Sequence, residues 1–461
     1  MSQKKLFVLG LDCATPQFLF DEYLDDLPTF KKLFSQGAYG KLRSTIPAIT
    51  VPAWMSMMTS QTPGDLGIYG FRGRRAGSGY NDMFIASAEH VQYKKVWDYL
   101  NMAGLKTGML SVPLTYPPQT VDGFMVSGFM TPSLESEFTY PKELKQEIAD
   151  VVGEYIFDFA NRSTEAPEKI LEKIYEMTDK RHKLIKYFIK NKQWDFLMMV
   201  EMGVDRIHHY MWSYVDPKHP KFQGENNKFK NSIKEYYQHI DRQLSEILDL
   251  LPKECSVMIV SDHGAKAMDG MFLINEWLIK EGYLVLKNYP TSVTRLEKCD
   301  IDWSKTKAWA WGGFYSRIFI NVKRRDPEGI VEDFETERDS LARKLKAITD
   351  DHGNKLINIV APANELYNDP QGDVPDLLGF FGDLSWRPGG TVGHNKIYIH
   401  ENDTGPDDGV HDWNGIYAFW QPEKTGSGLL PESSILDIAP TILNYFGVDI
   451  PKDFKGKIIN Y

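Results

Sequence analysis

Residues 256–266 read SVMIVSDHGAK, and the way this run ends decides the fold. Val257 to Val260 is an apolar run of the kind found in strands buried on both faces of a parallel sheet. It stops at Asp262-His263-Gly264. A turn explains the Asp and the Gly but leaves the His unexplained. As metal chemistry, Asp262 supplies a hard oxygen, His263 a borderline nitrogen, and Gly264 lets the chain turn sharply away. The alternative is a loop with a solvated histidine.

The same grammar recurs along the chain. Leu6–Leu11 is a nearly continuous apolar run that ends at Asp12. Further strands are expected at Lys106–Val112, Phe124–Ser127, Asp195–Val200 and Gly415–Trp420. Helical spacing falls between them, near Pro16–Tyr23, at Leu27–Gln36, through Ile170, Ile174, Met177, Ile185 and Phe188, and through Ile233, Tyr237, Ile240, Leu244 and Leu248. Strands alternating with helices predict an α/β fold with a mostly parallel central sheet flanked by helices. The alternation breaks after Gly264. Residues 265–404 carry a strand at Arg317–Asn321, a charged helix near Glu335–Ala347 and many Pro and Gly, and read as an inserted cap over one end of the sheet. The core is then 1–264 with 405–461, closing on a helix at Ile438–Phe446.

Composition narrows the function. A net charge of −10 over 461 residues argues against nonspecific binding to nucleic acid or anionic membrane. It leaves room for a phosphate substrate, because a bound metal dominates its local field. Three cysteines leave one unpaired, which suits a reducing compartment. The start, MSQKKLFVLGLD, lacks the length and cleavage site of a signal peptide, and no window reaches the roughly 20 apolar residues of a membrane span. These features predict a soluble, cytoplasmic protein.

The chemistry gathers at strand ends, which in an open parallel sheet face one crevice. In VEMGVDRIHHY, Asp205 and His209 are four apart and share a helix face, a spacing that fits one metal or an ordinary surface hydrogen bond. His208 points elsewhere and reads as a packing histidine. In STIPAITVPAWMSMMTS, Thr50 lies at or just before a helix start, with Pro52 in the first turn. It reads as an N-cap, or as a nucleophile in the positive field of the helix end. As a nucleophile its hydroxyl needs metal activation. In DDGVHDWNGIYAFW, His411 falls just before the closing strand.

Taken in order, GLDCA, TIPAITVPAWMSMMTS, VDRIHH, VSDHG and GVHDWNGI resemble the alkaline phosphatase superfamily, from residue 10 to 416. The pattern is most similar to its nucleotide pyrophosphatase/phosphodiesterase branch and to the phosphohydrolase/phosphomutase group within it. The resemblance implies that Asp12, Thr50, Asp262 and His263 surround one metal and Asp205, His209 and His411 another. The implied ions are two zincs, with manganese the alternative. The implied reaction is in-line attack by Thr50 on phosphorus between two metals, giving a phospho-threonine that water then opens.

The chain departs from its relatives in places. Cys13 stands where Gly is common after the first Asp. Val51-Pro52-Ala53 replaces Phe-Pro-Asn after the nucleophile, Phe71 stands at the place of an Asn that donates to phosphate, and Leu66 replaces a His. The sulfatase branch needs Cys/Ser-x-Pro-Ser-Arg, which Thr50-Val51-Pro52-Ala53-Trp54 is not. The substrate expected is a phosphorylated small molecule, nucleotide-like or otherwise, with Trp54, Lys266, Arg317 and Arg387 as candidate contacts. Trp309, Trp311, Phe314 and Tyr315 read as a half-buried core strand or as a stacking platform, and Trp413 as an exposed aromatic of the pocket or of an interface. The rival functions are a phosphomutase, which needs a closed basic roof, and a non-catalytic binding protein. The binding reading predicts lost ligands, whereas all seven positions hold competent residues. Oligomeric state is not legible in the sequence.

Overall fold

A computed structural model describes residues 4–75, 79–159, 165–402, 407–422 and 424–461. The apolar runs become the strands of a large mixed sheet: β1 (Lys5–Leu11), β2 (Ala38–Arg43), β3 (Thr107–Val112), β4 (Gly123–Ser127), β5 (Phe196–Glu201), β6 (Cys255–Val260) and β7 (Asn414–Trp420). Their order is β2-β7-β6-β1-β5-β3-β4, with short strands added at both edges. From β6 to β4 all pairs are parallel. β7 runs antiparallel to both β6 and β2. Strand β2 was not legible in the sequence, because Gly40 and Lys41 break its apolar pattern.

Side chains alternate across the sheet, so each strand feeds two cores. Phe7, Leu9 and Leu11 of β1 face one, shared with α1 (Pro28–Gln36), α3 (Pro167–Asn191), α4 (Gly203–Val215) and α5 (Ser232–Leu250). Leu6 and Val8 face the other, shared with α2 (Thr50–Thr59) and α6 (Ile438–Phe446). Helix α2 is buried along its whole length, which suits its apolar sequence. The expected helix at Pro16–Tyr23 is instead a wide turn over Gln17–Glu22, in which the Tyr23 N–H donates to the Phe18 carbonyl five residues back.

The parallel register aligns the site. Leu11 of β1 is level with Glu201 of β5, and Gly10 with Val260 of β6. Asp12, Met202 and Ser261 therefore leave the sheet side by side. A small antiparallel pair, Gly264–Ala267 with Gly409–Asp412, then carries residue 411 back beside residue 265. The region between these two strands holds a four-stranded antiparallel sheet of Ala308–Trp311, Ser316–Ile320, Leu377–Phe380 and Ile359–Pro362, with a helix at Phe334–Lys346. Tyr80, from the earlier hairpin region, joins its core by stacking on Trp303 at 3.6 Å.

Candidate metal centre and active site

Strand β1 delivers Asp12 and the turn after β6 delivers Asp262 and His263, all fully buried. Ligand atoms of these three side chains lie within 4.8 Å of one another. Helix α4 delivers Asp205, which with His263 and His411 forms a second group within the same limit. His263 belongs to both. His209, one turn after Asp205, places Nε2 at 3.0 Å from Asp205 Oδ1. The expected seven residues thus converge from five separate stretches of chain.

Thr50 is the first residue of α2, with Ile49 in the cap position, so it is not an N-cap. Its Oγ1 lies 3.3 Å from His263 Nε2. The helix end directs a partial positive charge at that hydroxyl. Trp54, one turn on, donates from Nε1 to Asp12 Oδ2 at 2.7 Å. Gly10 makes that possible, because a Cβ there would meet the Trp54 ring at 2.5 Å.

Neighbouring groups aim the ligands. The His411 Nδ1–H donates to the Ala48 carbonyl at 2.8 Å, which leaves Nε2 for the site. His209 Nδ1 meets Asp407 Oδ1 at 2.5 Å and the Gly409 carbonyl at 2.7 Å. Arg206 binds Asp205 and also forks onto both Asp158 oxygens at 2.9 Å. The Cys13 N–H donates to Asp262 Oδ1 at 3.1 Å. Cys13 has φ 67, the left-handed region that glycine enters freely. Asp407 and Trp54's partner role escaped the sequence reading, since neither follows from spacing.

The electrostatics call for cations. Burial, and then the charges of Asp262 and Asp205, push the Asp12 carboxyl well above the usual range. Burial opposes charge on His263, but Asp262 and Asp12 outweigh it and raise the imidazole to about 9. Burial and the nearby His263 and His209 drive His411 well down. Buried oxygens Asp12 Oδ1, Asp205 Oδ1 and Asp262 Oδ2 accept no well-formed hydrogen bond. Buried acceptors in that condition are costly unless something positive satisfies them. The donor set, carboxylates with imidazoles, fits divalent metal.

The sequence model of the type I phosphodiesterase / nucleotide pyrophosphatase family matches residues 6–407. The chain belongs to that family. That places it among the phosphoryl-transfer hydrolases of the alkaline phosphatase superfamily. No curated protein sequence matches it. Among solved structures it is similar to human ectonucleotide pyrophosphatase / phosphodiesterase 5, at 12% identity and TM-score 0.57, covering 97% of this chain and 96% of that one. It is also similar to phosphonoacetate hydrolase from Sinorhizobium meliloti in complex with phosphonoacetate, at 15% identity and TM-score 0.62, with the same coverage. A murine phosphodiesterase 5 in complex with AMP, an inactive variant, matches at 12% identity and TM-score 0.55, covering 97% and 96%. These likenesses share the fold.

The candidate substrate contacts of this phosphodiesterase-family chain fall in different places. Trp54 is fully buried beneath Asp12. Lys266 is taken up by Asp383 and by Asp412, the latter at 2.9 Å. Arg317 and Arg387 line one cleft beside Ile49 and Phe314, and Phe71 lines it too. Of the cap aromatics, Trp309, Trp311 and Tyr315 are buried core, whereas Phe314 stacks on His411 with ring centres 3.7 Å apart. Trp413 is buried, contrary to expectation, because its indole donates to Asp383 and its face carries Arg43. His208 packs against Phe18, Trp212 and Tyr237, as a packing histidine should. No helix among the described residues is long and apolar enough to cross a membrane.

Proposed function

We propose that this chain hydrolyses phosphoric esters of small molecules through a phospho-threonine on Thr50, with two divalent cations, zinc in the first instance. The observation that carries the reading is Thr50 Oγ1, at the start of α2, 3.3 Å from the one imidazole that serves both ligand groups. Asp12, Asp262 and His263 would hold one ion beside Thr50. Asp205, His209 and His411 would hold the other. Metal there supplies Lewis acidity toward phosphoryl oxygens and toward the attacking and leaving groups.

The chain's own residues do the rest. The α2 terminus favours negative charge at Thr50. The Thr50 hydroxyl releases its proton to solvent water as its oxygen bonds phosphorus, the ester P–O bond breaks, and the leaving alkoxide takes a proton from water. Water then attacks phosphorus, the Thr50 O–P bond breaks, a proton from solvent restores the Thr50 hydroxyl, and phosphate leaves. A phosphomutase is the second reading, favoured by the several arginines in the adjoining cleft, which would retain an anionic intermediate for return of the phosphoryl group. A non-catalytic role fits least, because every expected ligand position is filled. All three cysteines are free thiols, which supports a cytoplasmic placement.

The test is metal-stripped protein assayed on p-nitrophenyl phosphate and bis-p-nitrophenyl phosphate, with zinc, manganese and magnesium returned singly. Metal-dependent release that falls by at least roughly 10³ in Thr50→Ala supports the reading. No release with any metal overturns the hydrolase.

A further inference from the structure

The cleft beside Thr50 has a volume of about 240 Å³. One wall holds Ile49, the residue before Thr50, and another holds Phe314, whose far side is the His411 ring. Four arginines line it, Arg72, Arg295, Arg317 and Arg387, against Glu297 as the one acid among the described residues.

Several arginines elsewhere in this acidic protein are neutralised at close range. Arg74 pairs with Asp373 at 2.9 Å, Arg181 with Glu201 at 3.1 Å, Arg206 with Asp158 at 2.9 Å, and Arg325 with Asp376 at 2.7 Å. The cleft arginines are less fully paired than these. Among the described residues Arg295 and Arg317 have no carboxylate within ion-pair distance, and Arg72 has only Glu297, at 3.9 Å. Arg317 lies over the Trp311 ring at 4.8 Å and donates to the Arg72 carbonyl, so its fork is held in place. Arg387 is 9% exposed and sits over Phe314 at 4.7 Å. One nitrogen binds Asp407, while its Nε is buried with no partner. A buried donor without an acceptor, in a cleft where guanidiniums outnumber acids, calls for an anion.

We propose that this cleft binds a second anionic group, carried on the leaving alcohol, so that the substrate is a phosphoric ester with two separated negative groups. This rests on the hydrolase reading above. The second group is a carboxylate or a second phosphate, since a guanidinium fork accepts either. The volume is below the roughly 300–1,000 Å³ of sites for drug-sized ligands, which favours a short carbon chain over a nucleoside. Clefts of one sign concentrate counter-charged substrate, which explains local positive charge on a chain of net −10.

The experiment uses three alkyl phosphates of equal chain length that end in methyl, carboxylate or phosphate, with zinc-loaded protein and phosphate release as the readout. Anion-terminated esters should exceed the methyl-terminated one by at least tenfold in kcat/KM, and the better of the two identifies the second group. Arg295→Gln, at an exposed position, and Arg317→Gln should each reduce that ratio about tenfold. Equal kcat/KM for all three esters overturns the proposal and leaves the hydrolase reading intact. Should no ester turn over, the hydrolase reading falls. Affinities of the same three compounds for Thr50→Ala, by calorimetry, then decide the cleft: tenfold tighter anion-terminated binding upholds it, and equal binding refutes it.

Discussion

Asp407 joins His209 Nδ1 to Arg387, one carboxylate oxygen on each. The ring proposed to hold the second ion is thereby tied to the arginine cleft. Burial opposes charge on His209, but Asp205 and Asp407 outweigh it and raise it to about 10.

Asp407→Asn should therefore loosen the aim of His209. Removing such a supporting partner costs about 10–100-fold in metal affinity. Zinc titration of stripped protein against a chelator reads this directly. Unchanged affinity would mean that the Gly409 carbonyl alone fixes the ring.

Trp54→Phe keeps the ring on Gly10 but removes the donor to Asp12 Oδ2. A buried acceptor left without its partner costs about 1–3 kcal/mol. We expect chemical denaturation to show a loss in that range and zinc-supported turnover to fall. A variant as stable as the parent would show that another donor replaces the indole.

Glu201 gives a pH signature separate from the metal centre. It closes β5, yet turns away from the site to accept from Arg181 at 3.1 Å and from the Gly203 N–H at 2.8 Å. Burial opposes its ionisation, but Arg181 outweighs that and lowers it to about 2. Its folded pKa lies below the unfolded value of about 4.3, so its stabilisation is complete above that value and is lost as pH falls toward 2. Glu201→Gln should be less stable than the parent at pH 7 by about 3–5 kcal/mol, as for a buried charge that loses its partner. The gap should narrow below pH 4.3 or so. Melting temperatures of both proteins from pH 7 to pH 3 check it; a constant gap would sink the assignment.

Asp241 of α5 caps α1 across the chain, accepting from the Thr29 and Phe30 N–H groups at 2.9 Å each. Asp241→Ala removes both bonds and the favourable charge at that helix end. The expected loss is about 1–2 kcal/mol in chemical denaturation, with no change in metal affinity.

Much of this was legible in the sequence for a physical reason. Strands buried on both faces leave unbroken apolar runs, and β1 and β6 lead into Asp12 and Asp262-His263. The i,i+4 spacing of Asp205 and His209 survives because α4 is regular there. What stayed hidden depends on contacts between distant segments. Nothing in DDGVHD says that Asp407 meets His209, and nothing in TRLEK says that Arg295 faces the same cleft as Arg387. Lys266 stood beside the ligands in sequence, but its strand points it at Asp383 and Asp412. Trp413 looked exposed because its loop is polar, and only the fold shows the carboxylate its indole meets.

The antiparallel strand β7 lies between β2 and β6, so Tyr39 waits for Ala418. During synthesis β2 has no neighbour on that side until β7, far downstream in the chain, has left the ribosome. The same late segment brings His411. The proposed metal centre is thus completed together with closure of the sheet, and a chain that stalls before β7 lacks that imidazole and is left with an open, adhesive edge.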